Sequence, residues 1–307
     1  MGYLFIEISR NLDEHVWSLI PMANAAKAVP ENVAGEFFVD STCIDCDTCR
    51  QLAPQVYGEA SDYSFVQEQP RSSSDRRAAL HALLACPTGS IGTRGPSDAK
   101  TFADDFPLLI EGDVFYCGYT SPKSFGGSSY FVRHSAGNWL VDAPKFLPQL
   151  VRRLETLGGL KYIFLTHRDD VADAAKYARH FAAQRIIHRD ELPSQPDAEI
   201  VLEGAEPQAL AQGVTAIPTP GHTRGHLVLL VHDRYLFTGD HLAWDRDSQR
   251  LTAFRDYCWH SWSKQRASMA RLLQFSFEWV LPGHGQRIHL PAAAMRRELA
   301  ALIDRMQ

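Results

Sequence analysis

The sequence predicts an α+β protein with two parts, a small cysteine-rich domain followed by a larger domain of alternating strands and helices. The chain has 307 residues, and at about 150 residues per domain two domains are expected. Four of the six cysteines fall between positions 43 and 86, whereas histidine and aspartate follow predicted strands further along. We therefore expect two chemically different metal-binding regions.

The domain boundaries follow from changes in composition. We expect residues 34–95 to form the first domain, residues 96–112 a linker, and residues 113–307 the second domain. Turn residues and few apolar ones mark the linker from Arg94 onward. Residues 1–33 are expected to be an N-terminal extension outside both folds, and Met22 is a second plausible first residue.

Composition and charge exclude several classes of partner. Hydrophobic residues make up 45% and charged residues 22% of the chain, which is typical of globular proteins. The net charge is -5, and no cluster of basic residues occurs, so nucleic acid is not an expected partner. No apolar run is long enough to span a membrane, and acidic residues stand where an export signal carries positive charge. A cytoplasmic protein is expected.

The first domain carries the spacing C-x2-C-x2-C, and a distant fourth cysteine is followed directly by Pro87. Three thiolates at this spacing wrap one irregular loop around a corner of an iron-sulfur cluster, and the fourth closes the coordination. The alternative is a structural zinc site, but such sites usually pair two C-x2-C knuckles. The sequence favours iron, and the predicted cofactor ligands are Cys43, Cys46, Cys49 and Cys86.

From Glu36 to Thr93 the chain resembles the single-cluster bacterial-type ferredoxins. In that family the second cysteine, here Cys46, distinguishes a 4Fe-4S cluster from a 3Fe-4S centre. Short β-prone runs at 37–40 and 63–67 flank the cysteine loop, and residues 75–85 have helical spacing. The resemblance implies one 4Fe-4S cluster and an electron-transfer partner.

In the second domain, histidine or aspartate follows a predicted strand four times. Residues 130–133 and 139–141 have the pattern of paired strands, 146–157 that of a helix ended by glycine, and 162–165 that of a buried strand. Rigid strands can deliver side chains from several loops to one point, which predicts a metal site at a sheet edge. The four residues after strands are His167, His222, Asp240 and His284.

The segments T-P-G-H-T-R-G-H (219–226), L-F-T-G-D-H (236–241) and V-L-P-G-H-G (280–285), preceded by Y-I-F-L-T-H-R-D-D, resemble the metallo-β-lactamase superfamily. The resemblance covers residues 113–307 and implies an αβ/βα sandwich with one or two Zn or Fe ions at one edge. His167 matches the first histidine of the family's H-x-H-x-D-H motif, and His222 matches the histidine after Pro-Gly. Asp240 matches the aspartate that bridges two metals, and His284 the last histidine.

The first motif departs from the family pattern. Asp169 stands where the family has its second histidine, and Val171 and Ala172 replace its Asp-His pair. A second ion would then keep two ligands, so one ion is expected rather than two. Asp173 is a substitute if the loop carries two extra residues before the helix. The predicted metal ligands are His167, Asp169, Asp173, His222, Asp240 and His284, and the predicted catalytic residues are Asp169 and Asp240.

Two imidazoles and a carboxylate leave open coordination positions, which suit zinc with a bound water or non-haem iron(II). We expect an enzyme, a metal-dependent hydrolase of a small ester or thioester with a fused 4Fe-4S domain. The alternatives are a non-haem iron redox enzyme that receives electrons from the cluster, and a non-catalytic electron-transfer or sensor protein. The aromatic group Phe254, Tyr257, Trp259 and Trp262 suits a substrate pocket and core packing equally.

Overall fold

The computed structural model describes residues 22–307. The first 21 residues of the predicted N-terminal extension lie outside that range. The chain divides into two compact units. Unit 1 contains the described chain up to Leu108 together with Tyr116–Gly126 and Lys145–Gly158, and unit 2 contains Leu109–Phe115, Gly127–Pro144 and Gly159–Gln307. In the described range, no helix has the length and apolar character that crossing a membrane requires.

Unit 1 is built from two short hairpin-like pairs of strands and three helices. Strand β1 (Phe37–Val39) pairs antiparallel with β4 (Ile91–Thr93), and β2 (Tyr57–Glu59) pairs with β3 (Ser64–Val66). Helix α1 (Thr48–Leu52) follows the cysteine loop, α2 (Ser73–Ala85) precedes the fourth cysteine, and α3 (Pro148–Thr156) comes from later in the chain. The strands predicted at 37–40 and 63–67 and the helix predicted at 75–85 are confirmed.

Helix α2 begins and ends where its sequence directs. Ser72 and Asp75 form a capping box, in which each side chain accepts a hydrogen bond from the other residue's backbone N–H. This arrangement satisfies N–H groups that the first helical turn leaves without partners. Helix α2 ends at Ala85, and Pro87, which cannot continue a helix, follows two residues later. The helix therefore delivers Cys86 at a defined point.

Chain on both sides of the predicted first domain belongs to unit 1. The side-chain oxygen of Asn32 accepts hydrogen bonds from the N–H groups of Val39 in β1 and Val66 in β3, at 3.0 Å and 2.9 Å. The predicted linker holds a 3-10 helix at Ala99–Asp105, which unit 1 also contains. Some of these flanking residues thus take part in regular structure.

Unit 2 contains two mixed sheets. The first sheet has seven strands in the order β11-β10-β9-β8-β7-β6-β5, and the second has six in the order β12-β13-β14-β15-β18-β19. The first comprises β5 (Leu108–Glu111), β6 (Val114–Tyr116), β7 (Tyr130–Val132), β8 (Trp139–Val141), β9 (Tyr162–Phe164), β10 (Gln184–His188) and β11 (Ile200–Leu202). The second comprises β12 (Gln208–Ala211), β13 (Val214–Pro218), β14 (Leu227–Val231), β15 (Tyr235–Gly239), β18 (Trp279–Pro282) and β19 (Ile288–His289).

The two sheets contact each other through Tyr130 of β7, whose ring lies 5.4 Å from that of Phe237 in β15 and whose hydroxyl donates to the carbonyl of Pro282. A hairpin of β16 (Ala243–Asp245) and β17 (Arg250–Thr252) follows the second sheet. Helix α4 (Ala174–Phe181) connects β9 to β10, and α5 (Trp262–Leu272) and α6 (Ala292–Arg305) bury apolar residues in the core of the second sheet. This is the predicted α+β architecture of facing sheets with helices.

Strand direction explains where the site of unit 2 forms. Strands β8, β9 and β10 run parallel in the first sheet, and β15 and β18 run parallel in the second. Parallel strands end at the same edge of a sheet, so residues that directly follow them lie near one another.

Candidate metal centres

The four cysteines of the predicted cluster motif line one pocket of unit 1. They stand on the loop before α1, within α1 and directly after α2, and they are Cys43, Cys46, Cys49 and Cys86. The backbone N–H of Ser64 donates to Cys43 Sγ at 3.4 Å, and that of Ser90 donates to Cys86 Sγ at 3.3 Å. Hydrogen bonds to sulfur tune iron-sulfur clusters, so the surroundings suit thiolate ligands.

The pocket disfavours thiolates that have no positive partner. Burial raises the pKa of Cys43, raises that of Cys46 to about 12, and holds that of Cys49 well above its ordinary value. A cation in the pocket would offset this cost of desolvation. All four are free thiols, and four thiols around one pocket are the donor set of a 4Fe-4S cluster. The residues present fit that group.

One buried arginine holds the cysteine loop. Arg50 donates to the carboxylates of Asp45 and Asp47 at 2.6 Å and 2.7 Å, and to the hydroxyl of Ser64 at 2.7 Å. Both aspartates have positive φ angles, so the backbone turns sharply around the pocket. Sequence reasoning missed this arginine, although the run C-x-D-C-D-x-C-R around the motif was an available signal.

In unit 2, three predicted ligands from the strand ends of the two sheets meet at one point. His167 follows β9, His222 lies on the loop after β13, and Asp240 follows β15. The Nε2 atoms of His167 and His222 lie 3.5 Å and 3.7 Å from the same Oδ2 atom of Asp240, and the three residues could hold one ion. Metal bonds of about 2.0–2.2 Å place neighbouring tetrahedral ligand atoms about 3.4 Å apart. The spacing therefore fits an ion.

Buried atoms without hydrogen-bond partners support that fit. The Nε2 atoms of His167 and His222 are both buried and make no hydrogen bond, an arrangement that costs free energy unless another group satisfies them. Asp169 lies at the open side of the group, with its side chain 45% exposed. Its Oδ2 atom is 3.6 Å from His222 Nε2 and 3.8 Å from His167 Nε2.

A second group shares Asp240. It contains Asp170, Asp240 and His284, and the Nδ1 atom of His284 lies 2.8 Å from Asp240 Oδ1. Asp170 is 1% exposed, and neither of its carboxylate oxygens makes a hydrogen bond. A Cβ atom at Gly283 would lie 2.5 Å from Asp170 Oδ2, so any residue other than glycine at this position would clash with the Asp170 carboxylate. Asp170 is the ligand candidate that sequence reasoning missed.

Asp173, the predicted substitute ligand, is in neither group. It stands at the start of α4, and its Oδ1 atom lies 3.2 Å from Nζ of Lys176. The reason is local: residues 168–170 form a 3-10 turn before α4 begins at Ala174, and this turn buries Asp170. Helical spacing from Asp169, on which the choice of Asp173 rested, does not apply across such a turn.

Charges within the site shift one another's pKa values. Burial alone would lower the pKa of His167, but the carboxylates of Asp170 and Asp240 outweigh it and raise the pKa to about 10. Burial and the charge of Asp240 raise the pKa of Asp170 to about 6. Burial would raise the pKa of Asp240, but His284 and His167 hold it well below its ordinary value. The pattern is that of carboxylates crowded together, which a bound cation would relieve.

Asp142 orients His167 through Thr166. The Thr166 hydroxyl lies 3.0 Å from His167 Nδ1 and donates to Asp142 Oδ2 at 2.9 Å, and the Thr166 N–H donates to Asp142 Oδ1 at 2.8 Å. Partners of this kind fix the ring of a metal-binding histidine. Sequence reasoning missed Asp142, although it directly follows β8 and so carried the same signal as the other strand-end residues.

Two further histidines pack behind the site as neutral rings. Burial lowers the pKa of His226 well below its ordinary value and that of His241 to about 3. The ring of His226 lies 5.1 Å from that of His167 and 5.5 Å from that of His241, and its Nδ1 atom lies 2.9 Å from the Thr219 hydroxyl. Neither belongs to the two ion-holding groups of the described chain.

Comparisons with known proteins agree with both regions. Residues 39–93 match the family described as the 4Fe-4S single cluster domain of ferredoxin I. A lactamase-like protein of Pestalotiopsis microspora is 27% identical over 191 residues, which are 59% of this chain and 56% of that protein. A hydroxyacylglutathione hydrolase of Salmonella paratyphi B is 31% identical over 105 residues, 34% of this chain and 41% of the relative. The chain thus spans about half the length of the curated relatives it matches.

Solved structures share the fold of the larger part. The metallo-β-lactamase DIM-1, in a crystal exposed to ceftazidime, aligns with a TM-score of 0.51 at 18% identity, covering 65% of this chain and 96% of that one. The mono-zinc form of the metallo-β-lactamase FIM-1 from Pseudomonas aeruginosa aligns with a TM-score of 0.50 at 17% identity, covering 64% and 93%. Together with the cysteine pocket, these likenesses identify a chain that carries a single-cluster 4Fe-4S ferredoxin domain and a region with the metallo-β-lactamase fold.

Proposed function

We propose that unit 2 is a metal-dependent hydrolase of a small ester or thioester. The observation that carries the proposal is the group of His167, His222 and Asp240, whose buried ligand atoms converge while the half-exposed carboxylate of Asp169 stands beside them. A site that both binds an ion and stays open to solvent on one side suits catalysis better than a purely structural role.

The residues of the site have separable roles. A bound zinc ion would supply a Lewis acid that polarises a carbonyl group and activates water at neutral pH. The nearby imidazole of His222, whose Nε2 atom lies 3.6 Å from Asp169 Oδ2, lowers the pKa of Asp169. This carboxylate is therefore ionised at neutral pH and can orient a water molecule and accept its proton. Asp240 and the two histidines would hold the ion, and Asp142 would keep the His167 ring in place through Thr166.

One of the relatives supports the proposed substrate class. It is named a hydroxyacylglutathione hydrolase, which is an enzyme acting on a thioester of glutathione. In such a reaction water adds to the acyl carbon, the carbon–sulfur bond breaks, and a carboxylate and a thiol leave. We extend this reaction type to the present chain as part of the proposal.

The direct test is thiol release from a hydroxyacyl-glutathione thioester and from a simple acetyl thioester by anaerobically purified full-length protein loaded with zinc. Asp240→Asn and His222→Ala are expected to lower kcat/KM by about a thousandfold, because each removes a metal ligand. Asp173→Asn is the matched control, since its carboxylate pairs with Lys176, and it should stay close to the unaltered protein. No thiol release above that of metal-free protein, with zinc, iron or manganese, would overturn the hydrolase.

The fused ferredoxin domain favours a second candidate. Hydrolysis requires no electrons, whereas a 4Fe-4S cluster is a one-electron carrier, and the chain contains the matching domain at residues 39–93. In this alternative the site of unit 2 holds iron, an external electron-transfer partner serves the cluster, and the substrate is reduced or oxidised. Anaerobic metal analysis separates the candidates: zinc beside the cluster iron supports the hydrolase, additional iron supports the redox enzyme, and neither supports a non-catalytic sensor.

We further propose a cytoplasmic location for the chain. All six cysteines are free thiols in the structure, and reduced thiols persist in the cytosol, where glutathione and thioredoxin keep them so.

A further inference from the structure

Chain outside the matched ferredoxin domain contacts residues that line the pocket of the four cysteines or adjoin them. Unit 1 includes Tyr116–Gly126 and Lys145–Gly158, whereas the family match covers residues 39–93. Thr120 donates twice to the carbonyl of Ala85, from its N–H at 3.2 Å and from its hydroxyl at 2.7 Å. Because Ala85 immediately precedes Cys86, these bonds fix the backbone that presents the fourth cysteine.

Gly126 covers the corner of the pocket at Cys46. It has a φ of +85°, and a Cβ atom there would lie 2.6 Å from Cys46 Cβ and 2.9 Å from Cys46 Sγ. The carbonyl of Gly126 accepts a hydrogen bond from the Thr48 hydroxyl at 3.4 Å, and that hydroxyl lies 3.5 Å from Cys46 Sγ. Any side chain at position 126 would strain the backbone and displace the cysteine.

Lys145 brings a positive charge to the backbone at the fourth cysteine. Its Nζ atom donates to the carbonyl of Pro87 at 2.7 Å and to that of Cys86 at 3.4 Å. Lys145 is only half-exposed, so solvent and salt screen its charge less than that of a surface lysine. A cluster gains negative charge when it is reduced, and a nearby ammonium group favours the reduced form.

We propose that residues 120–126 and Lys145 belong to the 4Fe-4S site. Gly126 shields Cys46, and Lys145 raises the reduction potential of the cluster. Lys145 is not a ligand: the carbonyls of Cys86 and Pro87 hold its ammonium group in place, and the group acts on the cluster through its charge.

Redox titration of the full-length protein under anaerobic conditions tests the role of Lys145. Lys145→Met should change the reduction equilibrium about tenfold toward the oxidised cluster, which is a fall of 59 mV for one electron, while Lys145→Arg should stay close to the unaltered protein. Lys145→Gln keeps a hydrogen-bond donor and loses the positive charge. If the methionine variant is unstable, the potential of the glutamine variant is compared with that of the unaltered protein instead. Equal potentials in all variants would overturn the charge effect.

Iron content tests the role of Gly126. Gly126→Ala should lower the cluster iron per chain by at least about half, because the added Cβ meets Cys46. Gly95→Ala is the matched control in unit 1, since a Cβ there has no neighbour within 4 Å. Full iron and an unchanged electron paramagnetic resonance spectrum in Gly126→Ala would remove Gly126 from the site.

A separate observation concerns the rim of the unit 2 site. Tyr257 and Trp259 are 60% and 58% exposed, and their rings form an edge-to-face pair with centroids 6.1 Å apart. The chain that follows Trp259 is hydrogen-bonded to a predicted metal ligand, because the N–H of His260 donates to the carbonyl of His222 at 3.0 Å. The ring of Trp259 lies 6.3 Å from that of His222. Two exposed aromatic rings are thus held beside the metal-binding group.

We infer that Tyr257 and Trp259 bind a flat apolar part of the substrate and that Lys264 binds an anionic part of it. Lys264 is exposed, and its Nζ atom lies 3.4 Å from Nε2 of His260. Exposed aromatic faces bind planar groups by stacking, and an ammonium group attracts an anion. The inference rests on the proposed hydrolase and narrows its substrate to an ester or thioester with a planar ring and a negative charge.

The dye 8-anilinonaphthalene-1-sulfonate, which carries a flat naphthalene ring and an anionic sulfonate, tests this rim without turnover. Its fluorescence titration on zinc-loaded protein should show affinity weakened about fivefold or more in Trp259→Ala and in Lys264→Met. Leu109→Ala is the matched control, because Leu109 is 63% exposed in the same unit. Unchanged dye affinity in both rim variants would overturn the inference.

Turnover gives the second readout. In Trp259→Ala the KM for a phenylacetyl thioester should rise more than the KM for an acetyl thioester, because only the former carries a ring. Equal changes for the two substrates would count against the rim. If neither thioester is hydrolysed by any form of the protein, the proposed hydrolase fails and the dye experiment still decides the binding site.

Discussion

The two candidate metal centres are built in opposite ways. The cysteine pocket takes three of its four sulfur atoms from residues 43–49, so a local loop makes most of it. The site of unit 2 takes its groups from the ends of β9, β13, β15 and β18, which span more than a hundred residues of sequence. Local spacing therefore identifies the first site, whereas the second depends on how the sheets assemble.

The largest expected effect is on the cysteine pocket. Cys49→Ala should abolish or convert the four-iron signal, because one of four thiolates is lost and Cys49 is buried in the pocket. Iron analysis and electron paramagnetic resonance measure the loss, and the metal of unit 2 should stay bound. Cys258→Ala is the matched control, since this thiol donates to Gly221 in unit 2. A four-iron spectrum that survives Cys49→Ala contradicts the assignment.

The next effect is on Asp240. Asp240→Asn should weaken metal binding in unit 2 by at least about a hundredfold, because this carboxylate belongs to both groups that could hold an ion. Competition with a chromophoric chelator measures the dissociation constant. Asp173→Asn should leave the dissociation constant unchanged. A comparable loss of metal affinity in both variants would mean that the proposed set of metal ligands is wrong.

How much the sequence could reveal differs between the two regions for a physical reason. Strand, loop, helix and cysteine order in unit 1 follow from short-range patterns, and the strands and helix predicted there are confirmed. His167, His222, Asp240 and His284 were named because each stands after a strand. Asp170 was not, because a 3-10 turn, which the sequence pattern did not reveal, decides whether Asp169, Asp170 or Asp173 points inward.

A smaller effect is expected at Asp170, and it tests whether the second group of unit 2 holds an ion. Asp170→Asn should stabilise the metal-free protein by about 1–2 kcal/mol, because a buried carboxylate without hydrogen bonds is replaced by a neutral group. Urea unfolding with chelator present gives the free energy of unfolding. Zinc titration of the same variant shows whether a second ion is lost while the first is kept, and a destabilised metal-free variant would show that Asp170 has a partner in the folded state.

The smallest expected effect compares helix caps in the two units. Ser72→Ala removes a capping box at α2, the helix that leads to Cys86, and should lower the free energy of unfolding by about 1 kcal/mol. Ser261→Ala at α5 removes a single capping hydrogen bond from a backbone N–H, that of Lys264 at 3.3 Å, and should cost about half as much.

Two optical probes can separate these effects. Five of the six tryptophans lie in unit 2, and Trp17 lies outside the described residues. Most of the tryptophan fluorescence therefore follows unit 2, whereas the visible absorbance of the cluster follows unit 1. Ser72→Ala should therefore move the absorbance transition more than the fluorescence transition, and Ser261→Ala should do the reverse. If each variant moves the absorbance and fluorescence transitions equally, the two units unfold in one cooperative step. In that case the two metal sites differ in how they are built, but the units that carry them do not differ in stability.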